Sequence, residues 1–228
     1  MNMADVSQQR PAFEQDYYQT YYRNYHRQNP ARKLQHYRRA VEGALPGREE
    51  IKVLDVGCAF GKFLGALDER WHRYGIDVSE YAIERAKRAV PGVQFTNVRD
   101  GEIPFQQLFD AITAWDVIEH ISDLDRVARQ IGDRLAEDGA FLFVVPVYDG
   151  PLGHAVRYLD RDPTHVHRVS RQFWLDWASR HFRVEDWWGV FRYLLPGGHY
   201  LHWPTRRLRG VAPAVAVIAR RRTEIQAS

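Results

Sequence analysis

Val53-Leu54-Asp55-Val56-Gly57-Cys58-Ala59-Phe60-Gly61-Lys62-Phe63-Leu64 decides how this chain of 228 residues is read. A short apolar run ends in a Gly-bearing turn, and an apolar-periodic segment begins at once, which predicts strand, tight turn and helix. Glycines there let the backbone reach positive φ and let a ligand approach the main chain. The helix that follows points unsatisfied N–H groups at the same spot. Nucleotide-like ligands are held this way. Asp77 ends the next strand-like run, about 20 residues on, where an acid accepts ribose hydroxyls.

Spacing separates the nucleotide folds that share this layout. A P-loop needs Gly, four residues, then Gly-Lys-Ser/Thr. The gap from Gly57 to Gly61 is one residue too short, and Phe63 stands where the hydroxyl should be. A dinucleotide fingerprint requires Gly at 59 and 62, and these are Ala59 and Lys62. What remains is acid-x-Gly-x-Gly-x-Gly with Ala59 in the middle place. This resembles motif I of class I S-adenosylmethionine-dependent methyltransferases.

Further matches follow in order over roughly residues 50 to 190. Asp77-Val78-Ser79 resembles the family's ribose-binding acid and helix start. Val98 to Phe105 is similar to the segment whose acid, here Asp100, meets the adenine amino group. Phe109 to His120 resembles the fourth strand and the Glu-His pair after it, and Leu135 to Pro146 the step into the fifth strand. The resemblance implies a doubly wound α/β fold with a mostly parallel seven-stranded sheet of order 3-2-1-4-5-7-6, strand 7 antiparallel. It also implies a cofactor site of Asp55, Gly57, Ala59, Gly61, Asp77, Val78, Asp100 and Asp116 for S-adenosylmethionine, with S-adenosylhomocysteine as product.

The pattern outside the motifs agrees with such a fold. From Ile51, strands and helices alternate, as in a parallel sheet covered on both faces. Strands are predicted at Ile51–Val56, Tyr74–Asp77, Val93–Val98, Ala111–Trp115, Ala140–Val145, Phe182–Val190 and Ala214–Arg220. Helices are predicted at Lys62–Glu69, Glu80–Ala89, Asp123–Leu135 and Arg171–Arg180, with Ser122 and Ser170 as N-caps of the last two. Ahead of this domain (46–228), residues 1–45 read as a helical cap. Its first 12 residues are loose. Tyr18, Tyr22 and Tyr25 then share one helical face and Leu34, Tyr37 and Val41 another, broken by Asn29-Pro30. Two irregular insertions, near 148–169 and 193–213, interrupt the alternation. Such insertions are often functional, and the first leaves the sheet where ligands bind, which makes it the expected acceptor site.

Composition is that of an ordinary globular domain, 45% hydrophobic and 27% charged. The single Cys rules out an internal disulfide framework. No apolar run would span a bilayer and no secretory start is visible, so cytoplasmic residence is expected. A net charge of +3 defines no partner, but beyond Asp186 the only acid is Glu224, among seven Arg residues from Arg192 to Arg222. A solvated basic face is the plainer reading; an anionic acceptor, a membrane surface or nucleic acid are the alternatives.

Methyl transfer from a sulfonium mainly needs alignment and a dry path, while a hydroxyl acceptor also needs a base or a metal. Asp116, Glu119 and His120 resemble the Asp/Glu-x-x-Glu-His arrangement of quinone-ring O-methyltransferases of the ubiquinone pathway. That resemblance implies Mg2+, with loop orientation as the alternative role. His165 and His167 lie on one side of the segment if it is extended, and an imidazole serves as base near neutrality. They are the candidate catalytic residues with His120; His154 and His199 are weaker ones. Tyr17-Tyr18 and Tyr21-Tyr22 could close the pocket. No Asn/Asp-Pro-Pro-Tyr follows the fourth strand, which argues against amino-group methylation of adenine or glutamine. Cys58 sits in the cofactor turn, so a Cys nucleophile is not supported. The function expected is methyl transfer to oxygen of a small or lipid-like metabolite. An RNA methyltransferase, a nicotinamide dehydrogenase and a non-catalytic cofactor-binding module are the competing readings.

Overall fold

A computed structural model describes residues 25–99, 101–160, 162–194 and 200–222. The Tyr pairs at 17–18 and 21–22, Asp100, the Pro196-Gly197-Gly198 stretch and His199 lie outside these residues.

Helices α1 (Tyr25–Gln28) and α2 (Ala31–Ala44) meet at Asn29-Pro30. Then come β1 (Lys52–Val56), α3 (Lys62–Gly65), β2 (His72–Asp77), α4 (Glu80–Ala89), β3 (Gln94–Asn97), β4 (Phe109–Trp115), a 3-10 turn (Ile118–His120) and α5 (Leu124–Arg134). The chain continues through β5 (Leu135–Pro146), α6 (Gly153–Leu159), α7 (Arg171–His181), β6 (Phe182–Leu194), β7 (Tyr200–Thr205) and β8 (Ala214–Arg221). The sheet runs β3-β2-β1-β4-β5-β8-β6-β7. Strands β3 to β5 pair in parallel, and β8 is antiparallel to both β5 and β6.

Both sheet faces are buried, so the central strands are continuous apolar runs rather than alternating ones. The pleat still sorts their side chains by face. Leu54, Ile112, Phe141 and Phe143 pack with Val127 and Ile131 of α5 and with Trp174 and Trp177 of α7. Val53, Ala111, Leu142 and Val144 pack with Tyr37 and Val41 of α2, Leu64 of α3 and Ile83 of α4. The apolar stripe of α2 is thus part of the core. No helix among the described residues is long and apolar enough to cross a membrane.

The seven expected strands appear in the expected order, and an eighth extends the edge. β6 runs past Val190 to Leu194 and pairs with β7 (Val190 with Pro204, Arg192 with His202). Pro204 masked this strand in the sequence, because proline removes a ladder donor; at an edge that loss is tolerated. α3 is one turn rather than two. Beyond Gly65 the bonds tighten to the i→i+3 type (Ala66 N to Phe63 O, 2.9 Å), and the Asp68 carboxylate captures the Arg70 N–H. β5 begins early, at Leu135, with a register jump that absorbs the Asp138-Gly139 turn. The first insertion contains α6, whose exposed Tyr158 and Leu159 leave no clean apolar stripe to read.

Ser170 caps α7 by accepting from Phe173 N–H (3.2 Å), but α5 is capped by Asp123, not Ser122, through Arg126 N–H (2.9 Å). Replacing Asp123 or Ser170 by Ala should each cost about 1 kcal/mol of stability, read by urea unfolding. An unchanged midpoint for Asp123→Ala would show that another group caps α5.

Candidate active site

At the carboxyl ends of β1, β2 and β4 opens a cavity of about 630 Å³. The first turn builds one end of it. Gly57 and Cys58 N–H both donate to the Ile76 carbonyl (2.8 and 3.0 Å), folding the turn back over β2. Gly57 has φ 70°, and a Cβ there would stand 2.3 Å from a Val117 methyl. Gly61, at φ 71°, would meet the Phe95 ring at 2.7 Å. It is the left-handed N-cap of α3 and supplies no side-chain cap to the first N–H groups of that helix. Ala59 between them also has positive φ, 46°.

Asp77 holds this turn as well as lining the cavity: one oxygen accepts from Ala59 N–H (2.8 Å), the other from Ser79 N–H (2.9 Å). A carboxylate can accept about four bonds, so both backbone bonds are compatible with a ribose diol. Val78 lines the same wall. Asp55 is buried below the turn and accepts from Thr113 Oγ1 (2.7 Å). Burial pushes its carboxyl up to about 8, opposed by the Thr113 hydrogen bond and helped by the Asp77 charge. A cationic ligand overhead would favour its ionised form.

Beyond β4, Asp116 has φ 61° and fastens to β5 through its N–H on the Val144 carbonyl (2.9 Å). Its carboxylate is taken by Arg192, which donates to one oxygen, and by Lys33, 3.8 Å from the other. Asp116 therefore does not join Glu119 and His120 in one cluster. His165 does: one ligand atom each from Glu119, His120 and His165 lie within 4.8 Å of one another. Glu119 is fully buried, neither carboxylate oxygen has a hydrogen-bond partner among the described residues, and burial pushes the group up to about 8.

The first insertion is tied to this turn, for Val166 and His167 N–H both donate to the Glu119 carbonyl (3.1 Å each). His120 Nδ1 lies 2.9 Å from Thr164 Oγ1, and burial, with His165 beside it, lowers the imidazole to about 4. His165 Nδ1 sits 2.8 Å from Asp160, whose other hydrogen bonds include one from Tyr148 OH (2.5 Å). Burial disfavours the Asp160 charge, yet the bonds from Tyr148 and His165 hold its pKa below the usual value. His165 and Asp160 line the cavity; His167 does not, and its Nε2 meets the Ile121 carbonyl (2.9 Å) beside Trp174. His154 is exposed outside the cavity. Sequence reasoning overlooked Asp160, Tyr148 and Lys33, and named Tyr37 only for a helix face and Arg192 only within the basic C-terminal group. Only Asp160 left a local signal, an acid five residues before His165.

A family profile described as a methyltransferase domain matches residues 24–185. The chain belongs to that family. It carries a methyltransferase domain, and Gly57, Cys58 and Ala59 of the turn after β1 line the cavity. An uncharacterized methyltransferase of Bacillus subtilis, YcgJ, is 31% identical over 140 residues, covering 56% of this chain and 54% of that protein. The chain thus spans about half the length of this curated relative. Among solved structures, a methyltransferase in complex with the Haloferax volcanii Trm112 activator is similar, with TM-score 0.69, 16% identity, and 91% and 97% of the two chains covered. A Thermotoga maritima S-adenosylmethionine-dependent methyltransferase, described as a possible histamine N-methyltransferase, has TM-score 0.65 at 15% identity, covering 90% and 98%. At such identities these neighbours establish the fold.

The burial of Asp55 beneath the turn from Gly57 to Gly61 has a measurable consequence. With Asp55 raised to about 8 in the folded protein, against about 3.9 when unfolded, the folded state keeps a proton that the unfolded chain releases. Stability of the ligand-free protein should then be full below about pH 4 and fall as pH rises from about 4 to 8. Asp55→Asn should flatten this fall in melting temperature between pH 5 and 8; an unchanged slope would show that Asp55 is ionised in the folded state.

Proposed function

We propose that the enzyme transfers the methyl group of S-adenosylmethionine to an oxygen of a small or lipid-like metabolite, with His165 as base. The Asp160–His165 pair on the cavity wall carries this reading. Nδ1 is committed to Asp160, and Nε2 makes no hydrogen bond among the described residues, so Nε2 is the nitrogen left for an acceptor. Its lone pair takes the hydroxyl proton while the oxygen forms a bond to the methyl carbon. The carbon–sulfur bond breaks, and neutral S-adenosylhomocysteine departs. Asp160 stabilises the imidazolium that results. Tyr158, Leu159 and Val166 are 79%, 60% and 56% exposed on the same insertion, an apolar border suited to a lipid-like acceptor.

The basic C-terminal part gives the RNA reading little support. Arg206 pairs with Asp186, Arg220 with Glu185, and Arg221 and Arg222 donate to the Leu135 and Arg180 carbonyls. Arg209 lies over the Trp187 ring at 4.1 Å.

A second reading rests on the unpartnered Glu119 carboxylate. The expected magnesium set does not fit, because Asp116 is neutralised by Arg192 and Lys33. Glu119, His120 and His165 would hold a divalent ion instead, and one carboxylate with two imidazoles suits zinc, manganese or iron better than magnesium. Such an ion would act as a Lewis acid on the acceptor hydroxyl.

In an assay of S-adenosylhomocysteine release across phenols and hydroxylated lipids, His165→Ala should lower kcat by roughly 10²–10⁴-fold. His167→Ala should act on stability instead. Activity should survive exhaustive chelation. Loss on chelation, restored by zinc or manganese, would replace the base reading with the metal one; near-normal kcat in His165→Ala would exclude both.

A further inference from the structure

Around Asp116 the cavity wall gathers two cations on one carboxylate. Lys33 is only 5% exposed, yet among the described residues its ammonium has one carboxylate within ion-pair distance, Asp116 at 3.8 Å. Arg192 donates to the other oxygen of the same Asp116. Two cations thus share one anion where water has little access. The Lys33 ammonium also lies over the rings of Tyr37 and Tyr200, 5.7 and 5.4 Å from their centroids. Tyr37 itself is 1% exposed, and its hydroxyl is buried with no hydrogen-bond partner among the described residues. Lys33, Tyr37, Asp116, Arg192 and Tyr200 all line the cavity.

An ammonium has three donors, a guanidinium five, and one carboxylate cannot satisfy both. A buried hydroxyl left unpaired costs desolvation that a ligand can recover. We propose that Lys33, Arg192 and the Tyr37 hydroxyl form a subsite for an anionic group, a carboxylate or phosphate, carried by the methyl acceptor. This rests on reading the cavity as the joint site of donor and acceptor, and narrows the acceptor to anionic metabolites. The free cavity has the matching imbalance: burial, with Arg192 adding to it, lowers Lys33 to about 7. An arriving anion would restore its full charge.

The cofactor's own carboxylate is the other source of the same chemistry, and a competition experiment separates the two. Benzoate and phenyl phosphate serve as probes, with benzamide as the neutral control, titrated by calorimetry into the full chain with and without saturating S-adenosylhomocysteine. Both anions should bind the cofactor-loaded protein and benzamide should not. Lys33→Met and Arg192→Met should weaken anion binding tenfold or more; Tyr37→Phe, which removes only the hydroxyl, should weaken it severalfold. Affinity for S-adenosylhomocysteine should change less than threefold in Tyr37→Phe. Absence of anion binding to the loaded protein, equal affinity in all variants, or displacement of the anions by S-adenosylhomocysteine would each overturn the proposal. Cofactor affinity is read on the same samples, so a missing donor site (no S-adenosylhomocysteine binding) is distinct from a missing anion site (cofactor bound, benzoate not).

Discussion

The missing side chain at Gly57 governs the whole carboxyl end of the sheet. Val117 occupies the space that a Cβ at Gly57 would need, 2.3 Å from its nearer methyl. The exit of β4 can therefore lie directly against the donor turn. Asp116 turns away at positive φ toward Lys33 and Arg192, while the 3-10 turn carries Glu119 and His120 the other way, under the first insertion. One steric vacancy joins three groups of side chains into one cavity: the donor turn, the cation pair and the His165 cluster.

Charge buried without full compensation is the common property of this cavity. Asp55 beneath the donor turn, Glu119 at the insertion and Lys33 opposite it are each nearly inaccessible to water, and burial shifts each toward its neutral form. Leaving such groups inside a fold is costly unless a ligand repays it. A sulfonium donor above Asp55 and an anion beside Lys33 would supply opposite charges to the two ends. Strain has a similar distribution, for the non-glycine residues with positive φ among the described ones, Ala59 and Asp116, both line the site.

The turn after β1 and the acid at the end of β2 were legible in the sequence because their determinants are local. Gly57, Gly61 and Asp77 are fixed by strand ends and turn geometry, and the α4 bounds followed from periodicity. The first insertion was less so. A two-residue period put His165 and His167 on one side of an extended segment. Within that segment Val166 and His167 N–H instead share the Glu119 carbonyl, and the imidazoles diverge to Asp160 and to the Ile121 carbonyl. Lys33 and Arg192 meet only because α2 and the extended end of β6 converge over Asp116, a long-range contact without a local pattern. β7 was hidden by Pro204, whose acceptability depends on its being at an edge.

The account depends most on the turn from Gly57 to Gly61 and Asp77 being the donor pocket. Isothermal titration of S-adenosylhomocysteine and of NADH into the wild type and Asp77→Ala tests this directly. The account predicts one-to-one binding of S-adenosylhomocysteine, no measurable NADH binding, and affinity about tenfold or more weaker in a folded Asp77→Ala protein, as loss of charged hydrogen bonds implies. Unaltered affinity in that variant, or preference for NADH, would contradict it.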